Sequence, residues 1–252
     1  MPEKSKSNSF KSKTLEFDFT RGVILYFVYP MKTRAEIRVA PSILSADFRF
    51  LEREVKAACD AGADLIHCDV MDGRFVPNIT FGPMVVAAVK KCATVPLDVH
   101  LMIVDPIKYA DAFCDAGADI LSFHAEAVGG LDDVRAVVAK IKARGVRAGV
   151  AVNPDKPISL FTDALTEIDM ALVMSVYAGF GGQKFIPDVL DKVRALKKMS
   201  TEKGINIDIE MDGGVNEETA KVCVEAGANI LVAGNYVFSG SDYKDKIQRV
   251  RG

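Results

Sequence analysis

A (β/α)8 barrel over residues 37–252 is the fold class this sequence predicts, and two observations predict it. The first is a repeat. Ala61-Gly62-Ala63-Asp64-Leu65-Ile66 recurs as Ala116-Gly117-Ala118-Asp119-Ile120-Leu121 and again as Ala226-Gly227-Ala228-Asn229-Ile230-Leu231. The glycines fall 55 residues apart and then 110, one period and two. In each copy a helix ends at a small-residue turn, where a residue without Cβ can take positive φ, and a short apolar strand follows. Two strand–helix units per period make about 27 residues per unit, which fits eight units into 37–252. The second observation is strict alternation of strand and helix patterns, which implies parallel strands joined by right-handed crossovers.

The elements follow in order. Strand one is predicted at Arg38–Ile43, and Phe48–Asp60 then has helical periodicity. Strands two, three and four are predicted at Asp64–Asp69, Pro96–Leu101 and Asp119–His124, ahead of a helix at Leu131–Arg144. Strand five is Arg147–Val152 and strand six Met170–Val176, followed by a helix at Val189–Lys203. Strand seven is Asn206–Met211, with a helix at Glu217–Glu225, and strand eight is Asn229–Ala233. Eight such units in this length suit a closed barrel better than an open doubly wound sheet, and barrel chemistry sits at the C-terminal strand ends.

Composition narrows the function classes. Of 252 residues, 32 are Lys or Arg and 34 Asp or Glu, so a net charge of -2 gives no reason to expect nucleic acid or an anionic membrane as partner. No apolar run approaches the ~20 residues of a spanning helix. Five cysteines without a CxxC pair argue against a disulfide framework or zinc ribbon and suit a reducing compartment, so a cytoplasmic location is expected. Residues 1–36 read as a separate N-terminal extension, disordered or targeting, ahead of one catalytic domain at 37–252. Met1–Lys13 is Lys/Ser-rich, and an apolar patch at Gly22–Tyr29 precedes Pro30-Met31. A basic, acid-poor start is the type of an organelle leader, although Glu16 and Asp18 weaken that alternative.

Three strand ends carry polar pairs two residues apart: His67 with Asp69, Asp98 with His100, and Glu210 with Asp212. Side chains alternate along a strand, so each pair shares the face opposite its apolar neighbours. Burying Asp and His inside a barrel without partners costs several kcal/mol, and a divalent cation offsets that. His67, Asp69, His100 and Asp212 form a ligand set suited to Zn2+, Fe2+, Co2+ or Mn2+. Asp98 and Glu210 are expected to orient the ligands from behind. Met71, Met102 and Met174 lie near the same strand ends and can wall the site with polarizable surface. His124 has no Asp two residues away, and reads equally as a neighbour of the site or as a structural group. Glycine clusters follow strands six, seven and eight: Gly179-Phe180-Gly181-Gly182, Gly213-Gly214 and Gly234-Asn235. Turns of this kind after the last strands of a barrel often hold a phosphate, and the first segment also suits a lid.

Five segments resemble one family. Pro41-Ser42-Ile43-Leu44-Ser45-Ala46-Asp47 is similar to the first strand of ribulose-phosphate 3-epimerases, and His67-Cys68-Asp69-Val70-Met71-Asp72-Gly73-Arg74-Phe75-Val76-Pro77-Asn78 to their second. Asp98-Val99-His100-Leu101-Met102, Gly179-Phe180-Gly181-Gly182-Gln183 and Met211-Asp212-Gly213-Gly214-Val215 follow in matching order. The resemblance runs from about Ile37 to the C-terminus. Two residues depart from it: Ala178 stands where the family usually has Pro, and Asn235 where a Ser is common.

The resemblance implies a barrel of the ribulose-phosphate-binding type. It also implies a metal-dependent isomerase that interconverts D-ribulose 5-phosphate and D-xylulose 5-phosphate through a cis-enediolate, in the pentose phosphate pathway. His67, Asp69, His100 and Asp212 would hold the metal, and Asp69 and Asp212 would double as acid and base. Ser42 and His100 would contact the sugar. Gly179 to Gly182, Gly213, Gly214, Gly234 and Asn235 would hold the substrate, with the phosphate at the amides of the last two turns. No organic cofactor is expected, and a homo-oligomer is expected by resemblance only. The alternatives are a 3-epimerase of a hexulose phosphate such as D-allulose 6-phosphate and a non-catalytic phosphosugar-binding barrel. A decarboxylase would want Asp-x-Lys on strand two, where this chain has Asp69-Val70-Met71.

Overall fold

The computed structural model describes residues 11–18, 23–30 and 37–252, and the chain divides into two units at Glu36–Ile37. The second unit contains eight parallel strands. They are β1 (Arg38–Ala40), β2 (Ile66–Met71), β3 (Leu97–Met102), β4 (Ile120–His124), β5 (Arg147–Val152), β6 (Met170–Met174), β7 (Asp208–Asp212) and β8 (Ile230–Val232). Their order is β1-β8-β7-β6-β5-β4-β3-β2. A parallel bridge between Ser42 and His67 joins the two ends, with His67 N–H donating to the Pro41 carbonyl at 3.0 Å. In the first unit, Lys11–Asp18 and Val23–Pro30 form an antiparallel ladder, Lys11 opposite Pro30 and Asp18 opposite Val23. The apolar patch of the sequence falls largely on the second of these strands. The rest of the proposed extension lies outside the described residues.

Around the barrel run α1 (Leu51–Asp60), α2 (Pro83–Cys92), α3 (Pro106–Asp115), α4 (Leu131–Ala143), α5 (Leu190–Glu202), α6 (Glu217–Ala226), α7 (Asn235–Phe238) and α8 (Tyr243–Arg251). The repeated glycines end or follow helices with left-handed backbone, at φ +96 for Gly62, +104 for Gly117 and +116 for Gly227. An Asn216–Thr219 capping box starts α6, satisfying backbone donors that would otherwise be orphaned. The crossover after β5 departs from the helical pattern. Two 3-10 turns, Ile158–Leu160 and Thr162–Ala164, stand where the other repeats place a helix. Pro154 and Pro157 each remove a backbone donor just before them.

Alternation along the strands sorts the core into two layers. Ile66, Cys68, Val99, Leu101, Leu121, Phe123, Val173, Ile209 and Met211 belong to the large cluster packed against the helices. The opposite set faces the axis, where Ala40, Leu65, Ile120, Met170, Ile230 and Val232 pack together. The strand edges differ from the sequence expectation for local reasons. β1 stops at Ala40, because Pro41 offers no donor and Ser42 Oγ instead accepts from Leu44 N–H at 3.2 Å, starting the turn Ile43–Ser45. β6 stops at Met174, and Ser175 N–H turns to the Asp212 carbonyl at 2.7 Å. β2 and β3 run two and one residues further than expected, which carries Met71 and Met102 to the mouth.

Candidate active site

Register sets the site. Asp69 on β2 lies opposite His100 on β3, and Met174 on β6 lies opposite Asp212 on β7. Because these residues alternate with outward apolar ones, their side chains converge inside the C-terminal mouth. His67 Nε2 lies 3.4 Å from Asp69 Oδ1 and 3.8 Å from Asp212 Oδ2. His100 Nδ1 lies 3.8 Å from Asp69 Oδ1 and 3.7 Å from Asp212 Oδ2. A tetrahedral site with bonds of about 2.0–2.2 Å has ligand–ligand edges of roughly 3.3–3.6 Å, so this cluster has the span of one. His67 Nε2 and His100 Nδ1 are fully buried and have no hydrogen-bond partner. Two imidazole nitrogens without hydrogen-bond partners, facing two carboxylate oxygens, are what a metal ion would satisfy. This group can bind a metal ion.

Electrostatics point the same way. Burial alone would push both imidazoles toward the neutral form. The carboxylates of Asp69 and Asp98 outweigh it at His67, and those of Asp212 and Asp69 outweigh it at His100, so both stand above the ordinary histidine value. Burial would likewise raise Asp69, but the two histidines hold it well below the usual carboxylate range. The centre is thus a basin of negative potential that favours added positive charge.

Behind the cluster, His67 Nδ1 faces Asp98 Oδ2 at 2.6 Å, which orients the ring and turns Nε2 toward the centre. Glu210 stands behind the same ring. Its Oε1 lies 3.7 Å from His67 Nδ1, within ion-pair distance, although neither carboxyl oxygen makes a hydrogen bond. Burial, with repulsion from Asp98, raises its pKa well above the ordinary value. Ser42 Oγ donates to Asp69 Oδ2.

Above the cluster opens a cavity of about 630 Å³. Of the residues singled out from sequence, Ser42, Asp69, Met71, Met102, Met174 and Asp212 line its lower wall, with the two histidines buried beneath. Gly179, Phe180, Gly181, Gly182, Gly213, Gly214, Gly234 and Asn235 line its upper part. Gln183 ties the 179–182 segment together: its Nε2 donates to the carbonyls of Tyr177 (2.7 Å) and Phe180 (2.8 Å). Asn78 Nδ2 donates to the Gly179 carbonyl at 2.8 Å.

His124 does lie beside the site, its Nε2 2.9 Å from His100 Nε2. Burial lowers it to about 4. Sequence reasoning missed three residues that reach the site through others. Thr80 Oγ1 donates to the Asp69 carbonyl at 2.6 Å. Glu126 meets His124, and Asn153 meets both Glu126 and Ala178. Only the short spacing His124-Ala125-Glu126 could have pointed to one of them.

Comparison with known proteins bears on this geometry. A model of the ribulose-phosphate 3 epimerase family matches residues 38–238. The ribulose-phosphate 3-epimerase of Bacillus subtilis is 53% identical over 217 residues, covering 86% of this chain and 99% of that protein. The chloroplastic ribulose-5-phosphate-3-epimerase of Arabidopsis thaliana is 49% identical over 219 residues, covering 87% and 78%. Among solved structures, 3-hexulose-6-phosphate synthase from Salmonella typhimurium superposes with a TM-score of 0.65 at 16% identity, covering 85% of this chain and 97% of that one. KGPDC from Streptococcus mutans gives 0.64 at 14% identity, covering 85% and 95%. These two likenesses concern the barrel fold alone. Matched over most of its length by the family model and by close relatives, the chain belongs to the ribulose-phosphate 3-epimerase family and is an isomerase of that class.

Proposed function

We propose that this enzyme interconverts D-ribulose 5-phosphate and D-xylulose 5-phosphate, a step of the pentose phosphate pathway, with a divalent cation and two aspartates. The observation that carries the reading is the convergence of His67 Nε2, His100 Nδ1, Asp69 Oδ1 and Asp212 Oδ2 beneath a cavity rimmed by glycine turns. His67, Asp69, His100 and Asp212 would hold the metal. When bound, it would supply Lewis-acid stabilisation of negative charge on the ketose oxygens.

The chain's own groups do the proton work. Inversion at C3 breaks the C3–H bond on one face, and the electron pair moves toward the C2 oxygen to give a cis-enediolate. A carboxylate takes that proton, and a protonated carboxyl across the plane delivers another to C3 from the opposite face. Asp69 on β2 and Asp212 on β7 stand on different sides of the mouth and suit these two tasks. Each turnover exchanges their protonation states, so the reverse reaction uses the same pair. Ser42 holds Asp69 by its Oδ2 and leaves Oδ1 toward the centre. Met71, Met102 and Met174 wall the cavity with apolar surface that limits water around the enediolate. The turns at Gly213-Gly214 and Gly234-Asn235 would present backbone amides to the phosphate, and Gly179–Gly182 would close over the sugar.

The native metal is read as Zn2+, Fe2+, Co2+ or Mn2+, since imidazole and carboxylate ligands suit all four. Five free cysteines suit the cytoplasm, although the Arabidopsis relative is chloroplastic by name. Among the described residues no helix is long and apolar enough to cross a membrane. The family reading extends to a homo-oligomer, and a solution mass equal to one chain would contradict that part.

Steady-state assay on D-ribulose 5-phosphate tests the activity. Turnover is expected, and it should disappear on chelation and return with added metal. A kcat/KM more than about tenfold higher on D-allulose 6-phosphate would move the substrate to the six-carbon class, since tenfold corresponds to only ~1.4 kcal/mol of differential binding.

A further inference from the structure

Between the floor of the site and the lid runs a continuous line of hydrogen bonds. His100 Nε2 lies 2.9 Å from His124 Nε2, and His124 Nδ1 lies 3.0 Å from Glu126 Oε1. Asn153 donates to that same carboxylate oxygen twice, from its backbone N and from Nδ2, both at 2.9 Å. Asn153 Oδ1 accepts from the N–H of Ala178 at 2.9 Å, and Ala178 precedes Gly179, the first residue of the lid segment. Lys192 on α5 fixes the loop from below, donating to the carbonyls of Asn153 (3.0 Å), Pro154 (2.7 Å) and Lys156 (2.7 Å).

The protons along this line have one consistent arrangement. His100 Nδ1 faces Asp69 and Asp212, and a metal ligand must offer a lone pair there. The His100 ring proton then sits on Nε2 and is donated to His124 Nε2. His124 must carry its own proton on Nδ1, which it donates to Glu126. A carboxylate at the far end thereby selects the tautomer of the ligand, one imidazole removed. Asn153 commits every hydrogen-bonding group it has: N–H and Nδ2 to Glu126, Oδ1 to Ala178, and its carbonyl to Lys192.

We propose that Glu126 and Asn153 are positioning residues that tie the lid hinge at Ala178 to the metal ligand His100 in a single hydrogen-bonded chain, so that seating of the lid and hold on the cation are coupled. The proposal rests on the reading of His67, Asp69, His100 and Asp212 as metal ligands. It explains a use for the departure at 178. An alanine has the N–H that makes the last link, and a proline has none. Coupling of this kind is reciprocal, so a change at the hinge that touches no ligand should still alter metal affinity.

The test is optical titration of the purified full chain with Co2+, which reports both affinity and ligand-field spectrum. Wild type is compared with Glu126→Gln, Asn153→Ala, Ala178→Pro and the double variant Glu126→Gln/Ala178→Pro. Glu126→Gln is nearly isosteric, and Ala178→Pro removes one N–H, so at least one fold-preserving probe exists at each end. Co2+ affinity is expected to fall about 10–100-fold in Glu126→Gln and Asn153→Ala. About fivefold is expected in Ala178→Pro, with the double variant weaker by less than the product of the two. A purely structural role would lower Tm and leave Co2+ affinity and spectrum unchanged, which overturns the proposal. Loss in Glu126→Gln with none in Ala178→Pro overturns the coupling and leaves Glu126 as a support for His124 alone. A wild-type chain that binds no Co2+ overturns both this proposal and the ligand reading beneath it.

Discussion

Asp69 and Asp212 face the same centre from different surroundings. Asp69 is locked by Ser42 and nearly sealed, whereas Asp212 keeps 13% of its side chain open toward the cavity. Replacing either by Asn preserves shape and removes the proton acceptor. Asp212→Asn and Asp69→Asn should each lower kcat about 10^2–10^4-fold with circular dichroism unchanged, and a variant retaining a tenth of wild-type kcat would remove that residue from the acid/base pair. Gly214 illustrates a constraint of a different kind. A Cβ there would lie 2.8 Å from Phe185 N and 3.0 Å from Phe185 Cα, at a backbone φ of +62. Gly214→Ala should cost about 1–3 kcal/mol of stability and raise KM, both measurable by denaturant unfolding and initial rates. These acids and turns were legible in the sequence because strand alternation puts them on one face at known strand ends. Glu126 and Asn153 were not, because their contacts cross between loops that follow neighbouring strands, and strand order is not written in the local pattern.

The lid is the element whose behaviour is easiest to separate from the chemistry. Gln183 donates to the carbonyls of Phe180 within it and Tyr177 just before it, and Asn78 donates to that of Gly179. Each such bond is worth about 0.5–1.5 kcal/mol. Gln183→Ala should therefore raise KM about tenfold while kcat changes less, and an unchanged KM would mean the lid is held by other contacts. The strands and four helices were readable from periodicity. The crossover after β5 was less so, because its prolines break helical hydrogen bonding while its apolar residues still seal the barrel: Phe161 and Leu165 are fully buried there. The ends of β1 and β6 were also misplaced, since a proline and a carbonyl from another strand decide where pairing stops.

At the scale of the whole molecule the two ends of the barrel divide the labour. The N-terminal end is closed by Arg38 and Arg147 converging on Asp208, with Asn229 Nδ2 donating to the same carboxylate at 2.8 Å. Burial would raise Asp208, but the two guanidiniums outweigh it and hold the carboxyl below its ordinary value. A depressed folded-state pKa stabilises fully above the unfolded value of about 3.9, and that stabilisation is lost as pH falls through the folded value. Asp208→Ala should destabilise by about 3–5 kcal/mol at neutral pH by leaving the buried Arg38 and the half-buried Arg147 without their shared carboxylate. Asp208→Asn should remove the acid-side loss attributable to this group, and neither should alter kcat per folded molecule. Equal steepness below pH 4 in wild type and Asp208→Asn would contradict the assignment.

The C-terminal end carries the central claim, that a cation-centred pair of aspartates moves protons across one carbon. Its most direct test is epimerisation of D-ribulose 5-phosphate in D2O by metal-stripped and metal-restored enzyme, followed by nuclear magnetic resonance. Activity should track one metal ion per chain, and the D-xylulose 5-phosphate formed should carry solvent deuterium at C3. Full turnover by the stripped enzyme, or product formed without deuterium, would contradict it.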